Sequence, residues 1–248
     1  MIELQNISVT FAKNTPLEHK LFEGLSLQIK TGQFLTIIGG NGAGKSSLMN
    51  VISGDRQADS GKIFLDDKEV TKLLPYERAA LISRVFQDPL LGTYADLTIE
   101  ENLSLAYSRG HKRTLQLAIT AALRQEFRDL LAHMNLGLEN RLKDKMGLLS
   151  GGQRQAISLL MATVRPSKIL LLDEHTANLD PKMERVILKL TALLVAEKKL
   201  TALMITHSMQ QALEFGNRTL VMYQGEIVHD LEGEARNMLT PAELLPFF

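Results

Sequence analysis

The segment 34–46, FLTIIGGNGAGKS, decides the fold of this chain. It begins with a predominantly apolar run, which is typical of a strand buried on both faces of a parallel sheet. It ends with the pattern G-x-x-x-x-G-K-S, a turn whose backbone N–H groups surround phosphates before a helix begins. The segment therefore predicts an α/β fold with a phosphate-binding loop. A plain glycine turn is the alternative, but it would not need Lys45 and Ser46 at these positions.

Each residue type in this loop has an expected role in binding a nucleotide. The glycines permit a backbone nest around the α and β phosphates, and Lys45 is expected to reach the β and γ phosphates. The Ser46 hydroxyl is expected to bind Mg²⁺, and Ser47 extends the shell of donors. The candidate nucleotide-binding residues of the loop are Gly39, Gly40, Asn41, Gly42, Ala43, Gly44, Lys45, Ser46 and Ser47.

Two adjacent carboxylates follow the apolar segment 169–172. A buried strand here would deliver them at its carboxyl end, the edge where ligands bind in open α/β sheets. Asp173 is then expected to hold Mg²⁺ through water, and Glu174 to act as general base for the water that attacks the γ phosphate. Alternatively, one of the two carboxylates caps the following helix.

A second glycine motif, LSGGQRQ, spans residues 149–155. Ser150 and Gln153 have the spacing of a capping box, which predicts a helix beginning there. Gly151 and Gly152 should each cost about 0.5–1 kcal/mol in the first turn of that helix. Bare backbone at the positive end of a helix is suited to a phosphate, so the glycines indicate a second contact with a polyphosphate. A glycine-rich loop before an ordinary helix is the alternative.

Composition bounds the protein class. The 248 residues are 45% hydrophobic and 23% charged, which suits a globular chain with a proper core. Lysine plus arginine equals aspartate plus glutamate at 28 each, so no overall field attracts nucleic acid. We expect no export signal and no membrane span. The absence of cysteine excludes disulfides and thiolate chemistry and suits the cytosol.

The pattern of elements changes twice along the chain. Short alternating strands precede residue 87, with turns expected at 66–67; residues 88–165 are rich in alanine and leucine with helical periodicity; strands and helices then alternate to the end. We therefore predict a mainly parallel α/β core with an N-terminal antiparallel β subdomain, formed by 1–87 and 166–248, and an inserted α-helical subdomain at 88–165. A hairpin is expected around Gln224–Gly225.

The motifs, taken in order, resemble those of the nucleotide-binding subunits of ATP-binding-cassette (ABC) proteins, and the resemblance covers essentially the whole chain. It implies a P-loop NTPase core of the RecA-like type. By that resemblance Gln87 contributes to Mg²⁺ or the attacking water, His207 contacts the γ phosphate, Asp180 communicates across a dimer, and Phe11 stacks on adenine. Each also has a structural interpretation: a turn for Gln87, a helix cap for Asp180, a position before a helix cap for His207, and core packing for Phe11.

Two positions depart from the family pattern. His175 stands where proline usually follows the catalytic glutamate, and Asn178 replaces a small residue in the next turn. His175 followed by Thr176 is similar to a branch of importer ATPases linked to amino-acid uptake. The imidazole could tune Glu174 or touch a neighbouring subunit; a solvated or structurally bonded histidine is the alternative.

The resemblance also implies a function and its partners. Two copies would pack head to tail, each ATP lying between one chain's 39–47 loop and the other's Ser150, Gly151, Gly152 and Gln153. ATP and Mg²⁺ are the implied cofactors; an integral membrane permease and a separate solute-binding protein are the implied partners, with no nucleic acid. The expected activity is ATP hydrolysis coupled to import, on the cytoplasmic face of the membrane. A soluble scaffold ATPase, as in iron-sulfur cluster assembly, is the alternative.

Overall fold

A computed structural model describes residues 1–110 and 117–244. Its strands are β1 (Ile2–Phe11), β2 (His19–Ile29), β3 (Phe34–Ile38), β4 (Ser60–Leu65), β5 (Lys68–Glu69), β6 (Ile82–Val85), β7 (Ile169–Asp173), β8 (Thr201–Ile205), β9 (Arg218–Tyr223) and β10 (Glu226–Glu232). Its helices are α1 (Lys45–Ser53), α2 (Pro75–Arg78), α3 (Ile99–Tyr107), α4 (Ala121–Ala132), α5 (Gly151–Thr163), α6 (Pro181–Glu197), α7 (Met209–Glu214), α8 (Glu234–Asn237) and α9 (Pro241–Leu244).

The phosphate-loop strand lies inside a six-stranded sheet with the order β10-β9-β3-β8-β7-β6. All neighbours in it are parallel except the β9–β10 hairpin. All five residues of β3 are buried, because helices cover both faces of a parallel sheet. The predicted turn is confirmed: Gln224 and Gly225 have φ values of 47° and 84°, which two-residue hairpin turns require.

A second sheet is formed by the N-terminal strands in the order β2-β1-β4-β5, with antiparallel pairing throughout. The alternation predicted from the sequence is present in two parts, since Ile2 and Leu4 and then Ile7 and Val9 are buried against the main core, with a register shift between Leu4 and Ile7. The turn at Asp66 and Asp67 is also confirmed, both residues having positive φ. Two sheets therefore share one hydrophobic core, and the N-terminal sheet lies beside the phosphate loop.

In its described part, the chain between β6 and β7 contains three α-helices joined by turns. Helices α3, α4 and α5 bury a hydrophobic cluster that includes Ile99, Phe127 and Ile157 and extends to Ile187 of α6. The predicted helical segment 88–165 includes residues 111–116, which lie outside the described residues. In the described part of the chain, no helix combines the length and apolar character that a membrane crossing would need.

Helix starts agree with the capping signals. Ser150 and Gln153 form the predicted capping box at α5, and Thr98 and Glu101 form another at α3. Proline at the first position of α6 follows the Asp180 cap, whose Oδ1 accepts hydrogen bonds from the N–H groups of Lys182 and Met183. The structural interpretation of Asp180 is therefore correct, whatever second role the residue has.

Candidate active site

Four loops meet at one edge of the six-stranded sheet. Because β3, β8, β7 and β6 are consecutive parallel strands in space, their carboxyl ends lie side by side. The phosphate loop follows β3, His207 follows β8, Glu174 follows β7 and Gln87 follows β6. Residues far apart in sequence are thus brought to one place by the strand order. Gln87 is exposed there, two residues beyond Val85 of β6.

The phosphate loop has a backbone that only glycine permits at its first position. Gly39 has a φ of 147°, and a Cβ atom there would lie 2.1 Å from the carbonyl oxygen of Met222. Gly44 precedes α1 with a φ of 99° and leaves the helix N-terminus open. The glycines therefore hold the loop close to β9 and direct the first N–H groups of α1 toward the cavity.

Lys45 is buried beneath this loop. Its Nζ donates hydrogen bonds to the carbonyl oxygens of Gly39, at 2.7 Å, and Gly40, at 2.9 Å. An ammonium group has three donors, so one remains for a phosphate oxygen. Burial lowers the pKa of the Lys45 ammonium, and the negative charges of Glu174 and Asp173 oppose that effect.

A cavity of about 390 Å³ lies over the loop. Its lining combines loop backbone, one carboxylate and one aromatic side chain. The lining residues are Phe11, His19, Leu21, Asn41, Gly42, Ala43, Gly44, Lys45, Ser46, Ser47 and Glu174. Among the described residues, those at 150–153 do not line it. Within one copy of the chain, the glycine helix and the phosphate loop therefore do not line the same cavity.

The Ser46 hydroxyl and the Asp173 carboxylate face each other at this edge. Ser46 Oγ donates to Asp173 Oδ1 at 3.0 Å, and Asp173 is largely buried. Hydroxyl and carboxylate oxygens are the ligands that Mg²⁺ uses together with nucleotide phosphates. The donor set therefore fits a magnesium ion that bridges to a nucleotide.

Glu174 is held in a strained conformation next to His207. Its φ is 47°, in the left-handed region that costs a non-glycine residue about 1–2 kcal/mol. His207 Nε2 donates to Glu174 Oε1 at 2.7 Å. Glu174 lines both the loop cavity and a neighbouring one of about 410 Å³ that contains His207. The strain and the hydrogen bond together aim one carboxylate at the boundary between the two cavities.

His175 is buried behind this carboxylate and bonded within its own chain. Its Nε2 lies 3.0 Å from Thr191 Oγ1, and that hydroxyl donates its only proton to the carbonyl oxygen of Ile187. Nε2 must therefore carry a hydrogen and donate to Thr191. Burial lowers the pKa of His175 to about 4. The structurally bonded alternative is the correct one for this residue.

The neutral His175 should make folding pH-dependent. The pKa is about 4 in the folded chain and about 6.5 unfolded, so the unfolded chain binds an additional proton between these values. Stability present above pH 6.5 should therefore fall as the pH drops toward 4, with a slope of about 1.4 kcal/mol per pH unit from this group.

Urea unfolding at a series of pH values measures that slope, and His175→Gln is the control because glutamine can donate to Thr191 without titrating. On acidification from pH 6.5 toward 4, the free energy of unfolding of wild type should fall relative to that of the variant. A difference that does not change with pH would contradict the buried neutral histidine.

The two glycines of the LSGGQRQ helix have different surroundings. Gly151 is exposed, and a Cβ atom there would meet nothing within 4 Å. Gly152 is buried, and a Cβ atom there would lie 2.2 Å from Met183 Cγ on α6. The interpretation that both glycines serve a phosphate is thus incomplete. Gly152 is explained by packing inside its own chain, and Gly151 remains the exposed bare backbone.

This asymmetry predicts opposite effects of alanine at the two positions. Gly152→Ala should destabilise the fold by about 1–3 kcal/mol through overpacking, whereas Gly151→Ala should be neutral or slightly stabilising because alanine favours helices. Chemical denaturation compares the two. Adding Met183→Ala to Gly152→Ala should restore part of the loss, and equal stabilities of the two single variants would contradict the packing explanation.

Phe11 satisfies parts of both of its predicted interpretations. It packs against the main core while lining the loop cavity, and the guanidinium carbon of Arg56 lies 3.7 Å from its ring centroid. Arg56 also donates to the carbonyl oxygen of Thr10 at 2.8 Å. The Arg56 guanidinium therefore occupies one face of the Phe11 ring.

Sequence reasoning missed three side chains at this site. His19 lines the cavity, Arg56 stacks on Phe11, and Arg84 of β6 donates to the Asp173 carboxylate. One signal was available for Arg84, since it is a lone charge inside an apolar strand segment. Nothing local in the sequence indicates the positions of His19 and Arg56.

A family model described as "ABC transporter" matches residues 22–177. The tyrosine transport ATP-binding protein of Clostridioides difficile (strain R20291) is 42% identical over 248 residues, which is 100% of this chain and 98% of that protein. The thiamine import ATP-binding protein ThiQ of Haemophilus influenzae (strain 86-028NP) is 39% identical over 202 residues, covering 82% and 88%.

Solved structures are similar over nearly the whole length. The dimeric cassette MJ0796 in a post-hydrolysis state, bound to ADP and Pi, aligns with a TM-score of 0.80 and 27% identity, covering 94% of this chain and 98% of that one. The cassette MJ1267 in its ADP conformation aligns with a TM-score of 0.79 and 27% identity, covering 100% and 97%.

Proposed function

This chain belongs to the ABC transporter family, and from that premise we propose that it powers the import of tyrosine or a chemically related amino acid. The chain is the ATP-binding subunit of an ABC transporter and an ATPase, and the predicted family and fold are confirmed. The end-to-end match to the tyrosine transport protein carries the choice of cargo. The other relative covers less of the chain at lower identity.

The catalytic roles follow from the positions of three side chains around the loop cavity. Lys45 offers its remaining ammonium hydrogen to a β or γ phosphate oxygen. Glu174 accepts a proton from the water whose oxygen attacks the γ phosphorus, and the bond to the β-phosphate oxygen breaks. His207 holds Glu174 through its Nε2 hydrogen bond and stands where it can donate to the γ phosphate instead. Gln87, at the end of β6, is assigned to the water or the metal.

The Ser46 hydroxyl and the Asp173 carboxylate would hold magnesium at this edge of the sheet. It would neutralise charge that develops on the phosphate oxygens. Ser46 would bind the ion directly and Asp173 through water, and their 3.0 Å hydrogen bond keeps both groups on the loop side. The remaining ligands come from phosphates and water, as is usual for this ion.

The second half of each nucleotide site comes from another copy of the chain. Residues 150–153 do not line the loop cavity of the described chain, while Gly151, in the first turn of α5, leaves open space where a side chain would stand. A head-to-tail dimer lets Ser150, Gly151, Gly152 and Gln153 meet ATP bound to the opposite loop. Asp180 caps the helix against which Gly152 packs, and we assign it to communication across the dimer.

The phosphate loop and the glycine helix lie in different parts of the chain, which suits a protein that couples ATP binding to movement of a permease. The core, 1–87 with 166–248, holds the loop, and the inserted segment 88–165 holds the glycine helix. Exposed apolar side chains follow Gln87 where these parts join: Leu90, Leu91 and Tyr94, with Leu91 72% exposed. We assign this patch to the permease, which would hold the subunit at the cytoplasmic face of the membrane. A solute-binding protein would deliver the amino acid from outside.

Membrane pull-down tests this function. Tagged chain should recover an integral permease from membranes, and Leu91→Glu should lose it while keeping ATP binding. Leu193→Glu, on an exposed face of α6, is the matched control. In proteoliposomes with that permease and a solute-binding protein outside, labelled tyrosine should accumulate only with ATP. Recovery of soluble partners alone would refute the transport role. An absence of ATP-dependent accumulation of labelled tyrosine would refute the cargo.

A further inference from the structure

Arg84 is a buried cation at the back of the proposed magnesium site. It lies in β6, and its side chain is only 12% exposed. Nη2 donates to Asp173 Oδ2 at 2.6 Å, while Nη1 donates to Asn50 Oδ1 at 2.6 Å and to Asp55 Oδ2 at 2.9 Å. The guanidinium carbon also lies 4.8 Å from the centroid of the Phe86 ring. One guanidinium thus connects the end of β7 to α1 and the turn after it.

Packing alone does not account for this arrangement. Burying a guanidinium is costly, and an apolar side chain of similar volume often serves the fold as well. Arg84 Nε is moreover buried without a hydrogen-bond partner, which adds to the cost. A buried charge at such a position therefore indicates a role other than stabilising the fold.

The Asp173 carboxylate has its two oxygens divided between two partners. Oδ1 accepts from Ser46 Oγ and Oδ2 accepts from Arg84 Nη2. Arg84 is itself fixed by Asn50 and Asp55, so it cannot follow the carboxylate if that group turns. The hydrogen bond from Arg84 therefore sets the rotation of the Asp173 carboxylate, and Oδ1 faces the phosphate loop.

We propose that Arg84 is a positioning residue that locks the Asp173 carboxylate with Oδ1 toward the magnesium of bound nucleotide. The inference rests on the proposed nucleotide site and deepens it. Without Arg84, Oδ2 loses its partner, the carboxylate turns, and magnesium is held less well. Loss of a partner that orients a metal ligand typically costs 10- to 100-fold in metal affinity or activity.

The experiment titrates binding of a fluorescent ATP analogue with Mg²⁺ and repeats it in EDTA. For Arg84→Met, the Mg²⁺ concentration at half-maximal enhancement should rise about 10-fold or more, with Mg²⁺-free binding within about twofold of wild type. The Mg²⁺ concentration required by Arg84→Lys should fall between those of wild type and Arg84→Met, because lysine keeps the charge but not the planar fork. Asp55→Asn is the matched control, because its amide oxygen can still accept from Arg84 Nη1 and only the charge is lost. Its Mg²⁺ requirement should stay close to that of wild type.

The outcomes separate the possible explanations. A parallel loss of binding with and without Mg²⁺ in Arg84→Met would mean a structural role and overturn the proposal. An unchanged or lowered Mg²⁺ requirement in folded Arg84→Met would also overturn it. If Arg84→Met does not fold, the same readings on Arg84→Lys decide. Failure of the wild type to show any Mg²⁺-dependent binding would instead refute the proposed nucleotide site.

Discussion

Glu174→Gln is expected to lower ATP turnover by about 100- to 10,000-fold, the range that loss of a general base produces. Glutamine keeps the size of the side chain and an oxygen that can accept from His207, but it cannot take a proton from water. Binding of MgATP should stay close to wild type because the loop and Lys45 are untouched. ATP should therefore remain in the site and hold two copies together.

Steady-state phosphate release measures the first effect, and sedimentation with saturating MgATP measures the second. The variant should sediment as a dimer while wild type returns to monomer as ATP is consumed. Glu197→Gln, at the exposed end of α6, is the control for a neutralised carboxylate. A variant that stays monomeric at saturating ATP would argue against the shared site, and one with normal turnover would remove Glu174 as the base.

Lys45→Ala and Ser150→Arg should separate nucleotide binding from dimer closure. Lys45→Ala removes a charge-assisted hydrogen bond worth about 1.5–3 kcal/mol, so ATP affinity should fall by about 10- to 150-fold. Ser150→Arg places a bulky cation at the exposed start of α5. It should leave ATP affinity of the single chain near wild type while abolishing ATP-dependent dimerisation and turnover.

Two controls match these variants. Lys62→Ala removes an exposed lysine of β4. Thr120→Arg removes the cap of α4, so it reproduces the loss of a helix cap, about 1 kcal/mol, without touching the glycine helix. Calorimetry on monomer and sedimentation on the mixture give the two readouts. Equal loss of ATP affinity in Lys45→Ala and Ser150→Arg would place the glycine helix in its own chain's site.

Local signals were sufficient for the elements of this fold. The apolar run before Gly39 predicted a fully buried strand because both faces of a parallel sheet are covered. The capping box at Ser150 predicted a helix start because it satisfies N–H groups within four residues. The hairpins at Asp66–Asp67 and Gln224–Gly225 followed from turn chemistry in the same way.

Side-chain partners at the site were not predictable from such signals. Arg84 and Asp173 are 89 residues apart and meet only because β6 pairs with β7 in parallel register. The 2.2 Å approach of a Cβ at Gly152 to Met183 depends on how α5 crosses α6. Whether His175 is solvated or buried depended on that same α6, which supplies Thr191.

The sequence by itself determined that this chain has a nucleotide loop, a strand ending in two carboxylates and a capped glycine helix. Those features are local, because backbone hydrogen bonding and apolar periodicity act over a few residues. The tertiary structure alone decided that β8 lies between β3 and β7, which sets His207 against Glu174, and that Gly152 is occupied by its own chain's packing. Sheet order and helix crossing are fixed by burial of the whole core, which no short segment encodes.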